Sequence, residues 1–339
     1  MAKRRYSKKG NKIQPAPQTL YFAFTMGAGY DFKTIDLSQV ASLVNRRFYR
    51  QGINWAVAGF KFITGSTVDG EVAVQKLPNT WVMSNSWEKG FRAWTKMNNE
   101  AMEEAESVRP KFLDFKIYAD DRHHSAGFAA NLLPSSGRGI PAAAFTAGEW
   151  EPSKYVIPKT NGTDDTITHE IIACGANYPG TGASGLNAVS LIEGYAASRA
   201  LPNVIDPNVP TDMDDASGST PQNFLSALFN DGTDQTTDVL EDIRTDNDIA
   251  PYPFENDGVH TDTMYPGGAN QGTGMQVHDF ALITPTTIGG TTRLKGGNFP
   301  CGLIRVETTN LAETSAILLQ IDLVPGSHRG YFCEPMTEM

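Results

Sequence analysis

The sequence predicts an all-β protein, a β-sandwich carrying helical and loop insertions, on three observations. About nine short apolar runs have strand length and strand alternation. The 32 Gly and 20 Pro residues punctuate those runs, so the chain turns often. The runs are not separated by the regular helical crossovers that a parallel α/β sheet requires.

Leu20, Phe22, Phe24 and Met26 alternate with Tyr21, Ala23 and Thr25, which is the period-two pattern of a strand. Asp36 stands three residues before Gln39, the spacing of a capping box, ahead of Leu37, Val40, Ala41, Val44 and Phe48. A short helix packed on a sheet edge is expected there. Strands over residues 55–64 and 72–76 flank a turn at 65–70, which makes them candidate neighbours. The clearest helix spans 86–107, where Trp87, Phe91, Trp94, Ala101, Met102 and Ala105 recur at three or four residue intervals before Arg109-Pro110 ends the pattern. Its aromatic face should be buried in a core, which accounts for the paired Trp residues without an aromatic ligand box. Leu113, Phe115, Ile117 and Ala119 then alternate with Asp114, Lys116 and Tyr118 as a further strand. Strand patterns continue at 154–157, 166–174, 277–284, 301–308 and 316–324. The last two, joined across 310–315, should form an antiparallel pair.

Charge is distributed unevenly. Lys3, Arg4, Arg5, Lys8, Lys9 and Lys12 crowd the first twelve residues, and no carboxylate appears before Asp31. Such a block repels itself and buries nothing, so residues 1–17 read as a solvated basic arm and linker, with Pro15 and Pro17 leading into a folded region from residue 18 to 339. The whole chain has 28 Lys and Arg against 38 Asp and Glu, a net charge of −10; without the six arm cations the body stands at −16. Fourteen acids between Asp206 and Asp262 face the single base Arg244, so residues 206–262 read as an acidic surface insertion carrying −13 of that total. A basic tail on an acidic body suits a protein that reaches toward a polyanion with its tether rather than with its folded surface. A nuclear-import signal or an ordinary charged terminus fits the arm alone equally well. There is no secretory h-region and no apolar run near eighteen residues, so neither export by a signal peptide nor membrane insertion is expected.

The motifs that carry chemistry are weak. Gly180, Gly182 and Gly185 make a literal GxGxxG after a strand and before a helical stretch at 187–199, with Asp206 about twenty residues on. That is the one feature an NAD-type enzyme would use, but residues 175–179 separate it from the strand and no βαβ units surround it. Ser184 fails the nucleophile-elbow pattern because Leu186 stands where Gly is needed. His169-Glu170 fails HExxH because Ala173 holds the second His position. His123 and His124, beside Asp120 and Asp121, have no third ligand at a recognisable spacing and read as exposed loop residues. Asp212 with Asp214 and Asp215, or Asp231 with Asp234, match no EF-hand loop and read as a solvated face. Cys174, Cys301 and Cys333 are odd in number and widely spaced, which argues against a disulfide framework or a structural zinc site and for reduced thiols. No enzymatic activity, cofactor or metal is expected.

Four stretches carry a resemblance. Leu77-Pro78-Asn79-Thr80-Trp81, then Trp87-Glu88-Lys89-Gly90-Phe91 with Trp94, and Phe112-Leu113-Asp114-Phe115-Lys116-Ile117-Tyr118 resemble the capsid proteins of circular single-stranded DNA viruses that encode a replication initiator. Leu323-Val324-Pro325-Gly326-Ser327-His328-Arg329-Gly330 resembles their C-terminal segment. The resemblance implies a jelly-roll β-sandwich, self-assembly of identical copies into an icosahedral shell of sixty or a multiple, and inward arms on a single-stranded DNA genome. It also implies a virion location, with passage through the host nucleus during assembly. The arm here is short and modestly charged where many relatives carry long Arg-rich ones. Sixty such arms would bring only about 360 positive charges, so mobile cations must neutralise the rest of a kilobase-scale genome. With Lys3, Arg4, Arg5, Lys8, Lys9 and Lys12 all on phosphates, affinity for single strands should fall as roughly the fourth power of salt, with little regard for sequence. The alternative is a cellular β-rich nucleic-acid-binding protein.

Overall fold

The computed structural model describes residues 16–102, 114–136, 143–158, 166–177, 180–199, 274–286 and 288–338. In chain order the elements are β1 (Thr19–Met26), β2 (Gly29–Asp36), α1 (Leu37–Asn45), β3 (Ile53–Thr64), β4 (Gly70–Lys76) and α2 (Trp81–Met102). Next come α3 (Asp121–Ala126), β5 (Lys154–Pro158), β6 (Thr166–Ile172), β7 (Ala188–Ser190) and α4 (Leu191–Arg199). Then follow β8 (Gln276–Ile283), β9 (Thr291–Phe299), β10 (Leu303–Leu311), β11 (Ser315–Leu323) and the short β12 (Pro325–Gly326), β13 (Gly330–Tyr331) and β14 (Cys333–Pro335).

Eight of these strands make the β-sandwich that the sequence predicts. One sheet runs β1-β11-β3-β9, with β14 added to β3 beyond the end of β11, and the other runs β2-β10-β4-β8. All of their pairings are antiparallel. Within the set of eight, the first strand pairs with the last (Thr19 opposite Asp322), β2 with β10, β3 with β9 and β4 with β8. The strands therefore form one long antiparallel ribbon wound on itself, and the contacts β11 to β3 and β10 to β4 stitch its turns together. Alternation explains why it closes. Leu20 and Phe22 on β1, Phe60 and Phe62 on β3, and Ile317, Leu319 and Ile321 on β11 are buried against Val72 and Val74 on β4 and Ile304 and Val306 on β10.

Several expectations are corrected by this topology. The strands at 55–64 and 72–76 are not neighbours, because the turn between them carries the chain from one sheet to the other. The same holds for β10 and β11, expected to pair with each other. Ala312, Glu313 and Thr314 between them can span ~10 Å at ~3.5 Å per extended residue, which is the gap between packed sheets rather than between paired strands. Two of the eight sandwich strands were not expected: β2, where Asp31, Lys33 and Thr34 interrupt the apolar pattern, and β9, which holds Arg293, Lys295 and two glycines; nor were the short β7, β12, β13 and β14. The long helix begins at Trp81, five residues early, because Thr80 caps it: Met83 N donates to Thr80 Oγ1 at 3.4 Å. Residues 103–107 of the expected helix lie outside the described residues. Of its three aromatics only Trp87 is buried; Phe91 and Trp94 pack on the core with part of each ring exposed.

Everything from residue 77 to 275 is inserted between β4 and β8, two strands that lie side by side. The described part builds a second core from α2, α4, Phe115, Ile117 and the three-stranded sheet β5-β6-β7, continuous with the sandwich through Leu303. Of the expected strand at 113–119, the described residues 114–119 form one isolated parallel bridge, Tyr118 to Ile172, and no named strand. A side chain takes the place of a neighbouring strand. Ile117 N donates to Gln51 Oε1 at 2.7 Å and Gln51 Nε2 donates to Ile117 O at 3.0 Å, while Lys116 N donates to Ser153 Oγ at 3.0 Å and the Ser153 backbone N donates to Lys116 O at 2.8 Å.

Candidate nucleic-acid interface

The arm cations Lys3, Arg4, Arg5, Lys8, Lys9 and Lys12 lie outside the described residues, as do the acidic stretch 206–262 and its Asp pairs. What is described is the arm's root. The Pro17 carbonyl accepts from Tyr331 Oη at 2.9 Å, Gln18 Nε2 donates to Gly330 O at 3.2 Å, and Leu323 N donates to Gln18 O at 2.7 Å. The chain is thus pinned to the end of β11 and to the β12–β13 turn before it continues as β1.

Aromatic packing fixes that end of the sandwich. Tyr49, Trp55 and Tyr331 form a mutual triangle with ring centroids 5.4 to 5.8 Å apart. Asn45 Nδ2 donates to Tyr331 Oη at 2.8 Å, and burial pushes the Tyr331 phenol up to about 12. Tyr49 Oη donates to Arg329 O at 3.0 Å, and the Arg329 guanidinium donates to Phe48 O and lies 6.0 Å from the Tyr49 ring centroid. Burial raises the Tyr49 pKa, and Arg47 and Arg329 pull it back. Around this triangle stand four exposed cations, Arg46, Arg47, Arg50 and Arg329. Arg46 (φ 53°) and Arg329 (φ 51°) both occupy left-handed backbone, and Arg46 does so at the C-terminal cap of α1, where glycine is the usual occupant. A cluster of exposed cations therefore lies where the arm departs. Sequence reasoning missed it, although Arg46-Arg47-Phe48-Tyr49-Arg50 interleaves cations with aromatics in five residues.

The two expected loop histidines are corrected. His123 and His124 are buried, at 1% and 0% exposure, on α3 against the outer face of the β2-β10-β4-β8 sheet. Asp120 caps α3 through His123 N at 3.1 Å and also pairs with the fully buried Arg305 of β10. His123 Nδ1 accepts from Ala119 N at 3.0 Å, its Nε2 lies 2.8 Å from Asn131 Oδ1, and burial lowers its pKa to about 4. His124 Nε2 lies 2.8 Å from Glu170 Oε2 on β6. Asp36, the cap of α1, accepts from Ser38 N, Gln39 N, Gln51 Nε2 and Trp150 Nε1; burial lifts its pKa to about 6 against those four donors. The contacts of Asp120 with Arg305 and of Trp150 with Asp36 bolt the insertion to the sandwich. Among the described residues no group of three His, Cys, Asp or Glu side chains is placed to hold a metal.

The glycine loop has a packing role. A Cβ on Gly182 would lie 2.6 Å from the His124 ring, so only glycine lets the loop close on α3. The expected helix at 187–199 starts at Leu191, after β7, so its N-terminal amides do not follow Gly180, Gly182 and Gly185 directly as a dinucleotide fold requires. Cys174 and Cys301 are buried free thiols whose pKa burial pushes up, and Cys333 is a partly buried third. No described helix is long and apolar enough to cross a membrane. No protein-family model, curated protein or solved structure matches the chain.

Proposed function

We propose that the chain is a non-enzymatic viral coat protein: a jelly-roll wall element whose copies associate into an icosahedral shell and whose basic arm neutralises an enclosed single-stranded DNA genome. The observation that carries the reading is the antiparallel pairing of first strand with last through fourth with fifth, which supports a jelly roll within the β-sandwich. That architecture also serves lectins and cupins, so function is argued from the arm and its root. Arg46, Arg47, Arg50 and Arg329 extend the basic character of the arm onto the end of the sandwich to which Pro17 is tied. In the intact particle that end faces inward, toward the genome, and the acidic residues 206–262 face outward.

Electron microscopy of negatively stained full-length protein tests the assembly. Closed shells of uniform diameter are expected. A protein that stays monomeric at every ionic strength, with or without oligonucleotide, contradicts the reading and favours a cellular nucleic-acid-binding module.

A further inference from the structure

Beside the arm root lies a cleft of about 570 Å³ between the loop that follows α1, the β12–β13 turn and the aromatic face of α2. Its walls combine two chemistries. Phe48, Trp87, Phe91 and Phe115 supply flat apolar surface, and Arg50 and Arg329 stand at the rim. Trp87 and Phe91 are stacked, centroids 5.1 Å apart and planes 13° from parallel, and Phe91 stacks in turn near Trp94 at 6.5 Å. Gly52 holds Trp87 in place, since a Cβ there would lie 2.2 Å from the indole. Trp87 is 6% exposed, yet its Nε1–H has no hydrogen-bond partner among the described residues, a cost of ~1–3 kcal/mol that a ligand carbonyl would relieve. Asp114, which also lines the cleft, is mostly buried and paired with Lys116 Nζ at 3.0 Å, so the lining holds a carboxylate acceptor as well as the indole donor.

We propose that this cleft holds one unpaired base of single-stranded nucleic acid, with the flanking phosphates on Arg50 and Arg329. The assignment rests on the coat-protein reading and sharpens it: the folded body, and not the arm alone, grips the genome. A base is the occupant that uses both chemistries, stacking on the partly exposed Phe91 ring and offering N–H and C=O edges to Asp114 and Trp87. A duplex cannot enter, because its base faces are covered. The arm departs from the same end of the sandwich, so a strand gathered by Lys3 to Lys12 is delivered to the rim.

The test compares the full-length chain with a full-length variant whose six arm cations are changed to Ser, using oligodeoxythymidine that carries photoreactive 5-iododeoxyuridine. Cross-links on the peptides containing Phe48 or Phe91 are expected in both proteins. In the arm-neutral protein Arg50→Ala should weaken binding about tenfold without moving the thermal transition, and Phe91→Leu should abolish the α2 cross-link. Cross-links confined to residues 1–15, with Arg50→Ala neutral, overturn the cleft and leave the coat-protein reading intact. Absence of binding by the unaltered full-length chain removes both. If a peptide spanning residues 206–262 protects the cleft and the oligonucleotide does not, the cleft is a contact between copies and the proposal fails.

Discussion

The sandwich and the insertion between β4 and β8 solve the same problem by different means. In the sandwich every strand backbone is paired by another strand, and the interior is almost wholly apolar, from Leu20 to Tyr331. In the insertion, the Gln51 side chain, together with Ser153 through its Oγ and its backbone N, completes the hydrogen bonding of residues 116–117. The ion pair of Asp120 with Arg305 sits with no exposure where the insertion meets the sheet, and His124 with Glu170 is equally buried inside the insertion. A ladder of strand contacts is redundant and tolerates the loss of one member. A junction built from single polar side chains is not.

The largest effect should therefore come from that junction. Arg305→Ala leaves Asp120 buried without its partner and should cost about 3–5 kcal/mol, whereas the volume-conserving Ile321→Leu in the sandwich core should cost less than ~1.5 kcal/mol. Urea unfolding of the two variants measures the difference, and equal losses would erase the contrast.

Acid should expose the junction next. His123, lowered from 6.5 to about 4, binds fewer protons folded than unfolded, so its contribution is full above pH 6.5 and is lost as pH falls toward 4. Asp36, raised from 3.8 to about 6, binds more protons folded, so its contribution is full below 3.8 and is lost as pH rises through 6. The two slopes oppose each other across nearly the same window. Asp36→Asn removes one, so this variant should lose roughly 3 kcal/mol between pH 6.5 and 4 relative to its own value at neutral pH, while the unaltered protein changes little from these two groups. Parallel profiles for the two proteins would refute the assignment.

A smaller, local effect is expected at Gln51→Ala, which orphans the amide and carbonyl of Ile117 at a cost of about 1–3 kcal/mol. Hydrogen exchange should quicken at residues 115–119 and stay slow on β10. The smallest is Arg50→Ala, an exposed cation whose removal should shift stability by less than ~0.5 kcal/mol. Its effect belongs to binding.

The same contrast explains what was legible in the sequence. Strands such as β1 and β11 alternate along their length and were readable residue by residue. β2 and β9 were not, because each carries charges on a face that its neighbours cover or that solvent takes up, and alternation then disappears. Pairing was misjudged for β10 and β11 because adjacency in sequence does not say whether a three-residue turn stays in one sheet or crosses between two. The run 114–119 has a strand's pattern, but its partners, Gln51 and Ser153, are single distant residues with no periodicity to announce them. His123 and His124 look solvent-bound among Asp120 and Asp121 until Arg305 and Glu170 arrive from far along the chain. The basic rim was readable in Arg46-Arg47-Phe48-Tyr49-Arg50, but its closeness to the arm depends on Tyr331 reaching back to Pro17.

We propose a division of labour in which the sandwich builds walls while the basic arm and the cations at its root hold nucleic acid. The ratio of absorbance at 260 nm to that at 280 nm, taken on purified particles, tests it most directly when the full-length chain is compared with the variant whose six arm cations are Ser. The account predicts particles from both proteins, with a much lower ratio for the variant. Equal ratios would contradict it and remove Lys3, Arg4, Arg5, Lys8, Lys9 and Lys12 from packaging.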